Sequence, residues 1–290
     1  MRQDRKNVRK RQMKEFWHVF RKNHLAMVGL SIFICLLLMA VFADVIANYD
    51  MRVIHQSRSE RLKLPSQEHW FGTDSVGRDV FARLVHGSRV SLSIGFSTTC
   101  LSLILGGILG SVTGFYGGGL DHFVMRVIDV VVSIPSMLLN IAIVAAMGPS
   151  VRNLVMAMTI AEIPRFTRIT RSMVISSAED EYVEAARVGG ATNKRIIMRH
   201  ILPNIIGPVV VQATISVARI ILTAAGLSFI GLGVQPPMPE WGAMLSDARE
   251  FMMTNPYLII SPGVFIALSV FSFNTIGDGL RDALDPRMRQ

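Results

Sequence analysis

Between Arg89 and Asp121 the chain carries no Asp, Glu, Lys or Arg, and the same holds from Phe251 to Gly277. Uncharged runs of this length, rich in Leu, Ile, Val and Phe, have few places to go. About 20 apolar residues cross the hydrocarbon core of a bilayer as one helix. A helix satisfies its own backbone hydrogen bonds there. The composition agrees, with 50% hydrophobic and only 18% charged residues. Further runs bring the predicted spans to six: Leu25–Ala47, Val90–Thr113, His122–Met147, Val151–Arg171, Asn204–Gly233 and Pro256–Asn274. The expected fold class is therefore an all-α membrane protein with six transmembrane helices. The first run follows a basic start, as a secretory signal does, but it exceeds a typical signal core and reads as an uncleaved span.

The formal charge of +9 raises the question of nucleic acid. The basic residues gather at the edges of apolar runs instead of forming one stripe, which argues against that partner. With six spans both ends share a side, and that side collects twenty Lys and Arg against nine on the other. Basic residues concentrate on the cytoplasmic side, so both termini are expected there. The predicted organisation is a basic tail over 1–22, a first span over 23–47, an extracytoplasmic segment over 48–89, a five-helix core over 90–280 and a short tail over 281–290. Cys35 and Cys100 lie in apolar runs without CxxC or Cys/His spacing, and read as core residues instead of disulfide or metal ligands.

Several local features carry more detail. Gly106, Gly110 and Gly114 recur every fourth residue, leaving one helix face bare for a neighbouring backbone. No Lys-Ser or Lys-Thr follows these glycines, so they do not form a P-loop. Arg126 and Asp129 are spaced to pair on one helix face. The fourth run is interrupted by Glu162, Pro164, Arg165 and Arg168; it is expected to leave the membrane early, the other option being a Glu162–Arg165 pair inside the bundle. Arg219 stands near the middle of the fifth run, where a charge is costly and faces the bundle interior or a water-filled path. It could line a pathway, or pair structurally with Glu162 or another subunit. Trp241 suits the membrane interface. The loop His69-Trp70-Phe71-Gly72-Thr73-Asp74, continuing to Gly77-Arg78-Asp79, suggests an ordered turn tied by side-chain-to-backbone bonds.

The polar island at 173–203 stands apart from these apolar runs. Ser177-Ala178-Glu179-Asp180 fits a capping box, Gly189-Gly190 stops a short helix, and Thr192 or Asn193 can cap a second one bearing Lys194, Arg195 and Arg199. Pro203 suits the first turn of the next helix. The residues describe a helix–turn–helix that is basic on one side, or else an ordinary solvated loop.

Glu184-Ala185-Ala186, then Gly190, then Leu202-Pro203 resembles the cytoplasmic EAA loop of bacterial ABC importer permeases. His200 stands where the general pattern has Ile, in a His-Ile-Leu-Pro-Asn form familiar from the peptide-importer branch. The GTDxxGRD stretch at Gly72–Asp79, the run from Leu227 to Gly242 and the Gly277–Pro286 ending are similar to the second, C-type subunit of dipeptide, oligopeptide and nickel importers. That resemblance implies a type I importer permease whose Glu184, Ala185, Ala186, Gly190, His200, Leu202 and Pro203 belong to an ATPase-coupling loop. It implies four kinds of partner: a second permease forming a heterodimer, two ATPase subunits, an extracytoplasmic substrate-binding protein and a peptide substrate. ATP and Mg would sit on the ATPases, with no cofactor or metal on this chain. Arg219 and Glu162 are the candidates for the translocation path. Glutathione, a nickel chelate or another small solute would suit the same architecture. An intramembrane enzyme would need convergent catalytic groups, and neither HExxH nor GxSxG occurs.

Overall fold

The computed structural model describes residues 14–284. Most of the basic tail, Arg2 through Arg11, and the terminal Arg287 and Arg289 lie outside the described residues. Helical backbone over 14–22 leads to α1 (His24–Val41), capped by the Asn23 side chain on the Ala26 amide. A polar segment follows, and α2 (Val80–Tyr116) begins ten residues before the expected Val90. The Asp79 carboxylate starts it by accepting from the Ala82 amide at 2.8 Å. At 1.5 Å per residue its 37 residues run about 55 Å, well beyond a hydrocarbon core of about 30 Å. The helix is thus longer than a single crossing needs, and the stretch Val80–Arg89, which carries Arg83, His86 and Arg89, is its polar end.

The third predicted span is broken. It forms α3 (Gly118–Ser133) and α4 (Ser136–Met147), bent by 86° at Ile134-Pro135. Proline lacks the N–H needed to continue the helical ladder and disfavours helical backbone in the residue before it. Asp129 pairs with Arg168 across helices at 2.7 Å, in place of the expected partner Arg126.

The fourth run does not end near Arg171: α5 (Val151–Ala178) continues unbroken with Pro164 inside it. Among the described residues four helices are long and apolar enough to cross a membrane, and five if the bent pair counts as one span, so the six expected from the sequence are not all matched. The remaining long helix, α5, is more polar and lies against α2 through the glycine face. A Cβ on Gly106 would stand 2.7 Å from the Phe166 Cβ, on Gly110 2.5 Å from the Thr167 carbonyl oxygen, and on Gly114 2.8 Å from the Arg171 carbonyl oxygen. The bare face predicted from the four-residue repeat is thus the seat of α5.

The helices of the polar island are α6 (Glu181–Val188) and the short α7 (Asn193–Ile196). From α7 the chain passes through a wide turn over Ile197–Ile201 into α8 (Leu202–Phe229) without a break. In that turn the Leu202 amide bonds to the Ile197 carbonyl, five residues back. Pro203 stands in the first turn of α8, where its missing N–H costs nothing, as expected from the sequence. Ser177, in contrast, belongs to the end of α5; Asp180 precedes α6, and no side-chain hydrogen bond caps either α6 or α7.

The bundle closes with α9 (Trp241–Ala248) and α10 (Tyr257–Leu284). α10 packs between α1 and α8, and the Ser272 hydroxyl donates to the Gly29 carbonyl on α1 at 2.7 Å. Outward faces of α1 and α2 expose Leu37, Leu38, Ile104 and Ile108, as a helix facing lipid does. Cys35 and Cys100 share those exposed faces and are not core residues. Apolarity in a membrane chain marks contact with lipid as readily as burial. Trp241, in contrast, is fully buried, its indole N–H donating to the Leu84 carbonyl at 3.1 Å, so it is no interfacial anchor.

Candidate functional sites: the polar helix pair and the membrane ion pair

The first site is the α6–α7 pair. Val183, Ile196, Ile201, Ile205 and Val209 form one buried cluster with Val174 on α5, and Ala186 and Leu202 pack against it. Arg187 lies over the Phe115 ring with its guanidinium carbon 5.6 Å from the centroid, tying α6 to the end of α2. Gly190 has φ of +75°, a conformation glycine adopts freely, and turns the chain between the two helices. The inward face is thus apolar, and the outward face carries Glu181, Glu184, Ala185, Lys194 and Arg195. Val188, beside that face, is 86% exposed. Of the sequence candidates, Glu184, Ala185, Gly190 and Pro203 are exposed, while Ala186, His200 and Leu202 are half-buried. A rigidly seated helix pair with a mixed polar and apolar outer face can transmit force between the bundle and a partner.

The second site lies where α5 and α8 meet the α3–α4 break. Arg219 on α8 holds Glu162 on α5 in a two-pronged ion pair: Nη1 donates to Oε1, and Nη2 donates to Oε2 at 2.6 Å. Glu162 is buried, whereas the Arg219 side chain is 39% exposed. The pair lines a cavity of about 400 Å³ with Ile134, Pro135, Arg165 and Arg168. Sequence spacing suggested Arg165 as a partner for Glu162, but Arg219 occupies that carboxylate from another helix. Arg165 is left half-buried at the cavity wall without an ion-pair partner among the described residues. The Arg219–Glu162 pair is one of the two roles the sequence offered for Arg219, and Arg165 shares its cavity wall.

A third polar centre holds the outer end. Asp74 accepts from the Val76 and Arg78 amides, from Arg78 Nε at 2.6 Å and from Arg83 Nη1 at 2.7 Å. Burial by itself would raise the Asp74 carboxyl, but Arg83 and Arg78 together hold it below the ordinary carboxylate range. Gly72 and Gly77 take positive φ in the same loop, so the ordered turn expected from the sequence is present. Glu240 caps α9 by accepting from the Gly242 and Ala243 amides, each at 2.9 Å. Burial pushes its carboxyl above the usual range.

Long apolar helices around a membrane-embedded ion pair, with an amphipathic helix pair at one end, define a polytopic membrane permease. Residues 106–290 match the binding-protein-dependent transport system inner membrane component family, and residues 11–65 match the N-terminal transmembrane domain of oligopeptide transport permease C. The chain belongs to the binding-protein-dependent transport system inner membrane component family. It is 48% identical over 276 residues to a dipeptide transport system permease protein of Alkalihalophilus pseudofirmus, covering 95% of this chain and 90% of that one. A glutathione transport system permease protein of Pectobacterium atrosepticum is 42% identical, covering 95% and 91%. A di/tripeptide transport system permease protein of Pseudomonas aeruginosa is also 42% identical, covering 96% and 93%. Among solved structures, an inward-facing MetNI methionine ABC transporter matches with a TM-score of 0.59 at 19% identity, over 71% of this chain and 98% of that one. That likeness concerns the fold.

Proposed function

We propose that this permease subunit carries dipeptides or oligopeptides across the cytoplasmic membrane in an ATP-driven, binding-protein-dependent importer. The carrying observation is similarity along nearly the whole chain to dipeptide and di/tripeptide permeases. In this reading both termini are cytoplasmic, and a second permease of similar topology completes the path. Two ATPase subunits bind ATP and Mg²⁺, and an extracytoplasmic binding protein delivers the solute.

The α6–α7 pair is the coupling element. ATPase closure would pull its outer face, and the shared cluster with Val174 and Val209 would pass the movement to α5 and α8. Those two helices also carry Glu162 and Arg219, so motion at the loop reaches the cavity. Arg165, at the cavity wall and outside the hydrogen-bonded Arg219–Glu162 pair, is placed to receive a peptide carboxylate.

Reconstitution of the assembled importer in liposomes tests the cargo. Uptake of radiolabelled dipeptide that requires ATP and the binding protein, and that excess glutathione does not suppress, is the expected result. Glutathione uptake without peptide uptake would favour the second reading, for which the Pectobacterium relative speaks. In the same liposomes Glu184→Lys should lower uptake at least tenfold while ATP hydrolysis continues. Wild-type coupling in that variant would remove the loop from this role.

A further inference from the structure

The polar segment between α1 and α2 contains a histidine whose environment neither the transport reading nor the family match uses. His69 is buried at 9% exposure, between the 3₁₀ turn Arg58–Glu60 and the start of α2. Its Nδ1 lies 2.8 Å from the Asp79 Oδ2 oxygen. Asp79 is committed as well, since its other oxygen caps α2 through the Ala82 amide. A carboxylate accepts, so Nδ1 carries the proton, and in that tautomer Nε2 presents a lone pair. That Nε2 is shielded from solvent and has no hydrogen-bond partner. A buried acceptor left bare loses its hydration without compensation.

What Nε2 faces points to a ligand. Glu60 Oε2 lies 3.9 Å away, and ligand atoms of Glu60, Glu68 and His69 all fall within 4.8 Å of one another. Neither carboxylate can donate a hydrogen bond to the ring while ionised. Zinc bonds to imidazole nitrogen and carboxylate oxygen are about 2.1 Å, which sets the two atoms about 3.4 Å apart around one ion. Closing from 3.9 Å needs only a side-chain adjustment. The outer contact is also of the expected kind, because a ligating histidine commonly donates its second ring N–H to a carboxylate. Glu68 is exposed, which leaves an entry route and a coordination position open to water.

We propose that Glu60, Glu68 and His69 form a binding site for a divalent transition-metal ion, with Asp79 as the residue that orients His69. One nitrogen and two carboxylates suit Zn²⁺ and its neighbours better than Ca²⁺, which takes six or more oxygens. A bound ion would clamp the 3₁₀ turn to the Gly72–Asp79 loop and so brace the outer end of α2. The proposal stands independently of the cargo.

The test uses the full chain, purified in detergent through a tag free of histidine and stripped by a chelator. Equilibrium dialysis against Zn²⁺ should show one tight site per chain, and Zn²⁺ should raise the thermal midpoint. His69→Gln, whose amide can still donate to Asp79, should weaken binding at least tenfold. Glu68→Ala, at an exposed position that carries no fold, should do the same, and Asp79→Asn should weaken it about 10- to 100-fold. Binding by the wild type no tighter than by both His69→Gln and Glu68→Ala would overturn the site. So would a histidine that titrates as a protonated partner of Glu60 without taking up Zn²⁺.

Discussion

Gly110→Ala is expected to destabilise the subunit severely, while Gly107→Ala, one turn away on the same helix, is expected to be tolerated. The two positions share chemistry and helix, and differ in what their Cβ would meet. At Gly110 it would lie 2.5 Å from the Thr167 carbonyl oxygen and 2.8 Å from the Arg171 amide nitrogen, both backbone atoms of α5 that cannot rotate away. At Gly107 nothing lies within 4 Å. Forcing atoms into a closed contact commonly costs about 1–3 kcal/mol, and the rigid backbone on both sides places Gly110 at the upper end. Alanine at Gly107 gains helix propensity, worth up to about 1 kcal/mol over glycine. Thermal unfolding of the two purified variants in detergent measures the difference. Equal midpoints would mean that α2 and α5 do not touch through this face.

Arg219→Ala is the second large effect. It would leave the Glu162 carboxylate buried beside Pro164 with its two-pronged partner removed. Breaking one side of a buried pair costs about 3–5 kcal/mol; the partial exposure of Arg219 to the cavity puts this case near 3 kcal/mol. Replacing both residues, Glu162→Leu with Arg219→Leu, removes the stranded charge and should recover most of that loss. Stability and uptake then separate two roles. If the pair is only structural, the double variant regains uptake along with stability; if it serves the path, uptake stays low. Arg165→Gln removes no hydrogen-bonded ion pair among the described residues and should cost about 1 kcal/mol of stability, well below Arg219→Ala. Peptide uptake should fall several-fold. Unchanged uptake in Arg165→Gln would remove that residue from substrate contact.

Much of this molecule was legible from local pattern. Uncharged apolar runs set the helices and the membrane, because no other solvent suits them. The four-residue glycine repeat announced a close helix contact, and Gly190 marked the turn of the polar helix pair. These features act within one or two helical turns, so spacing along the chain reports them. Capping was less legible: Ser177 became the end of α5 and no side-chain hydrogen bond caps α6 or α7, whereas Pro203 took its place in the first turn of α8 as its missing N–H predicts.

Long-range choices belonged to the tertiary structure. The sequence offered Glu162 two partners, Arg165 nearby and Arg219 far away; packing of α5 against α8 selected the distant one for the hydrogen-bonded pair. Asp129 chose Arg168 over Arg126 for the same reason, since a partner across helices can approach from directly opposite. The 86° bend at Ile134-Pro135 opens the cavity beside that ion pair. Glu60 and His69 carry no metal-ligand spacing, and only the fold of the outer loop brings them to one point. By itself the sequence determined that this is a bundle of apolar helices suited to a membrane, interrupted by one polar helix pair, because solvent preference is a property of each segment. Which charge meets which was decided by the fold, because a buried ion pair is chosen by three-dimensional approach and not by distance along the chain.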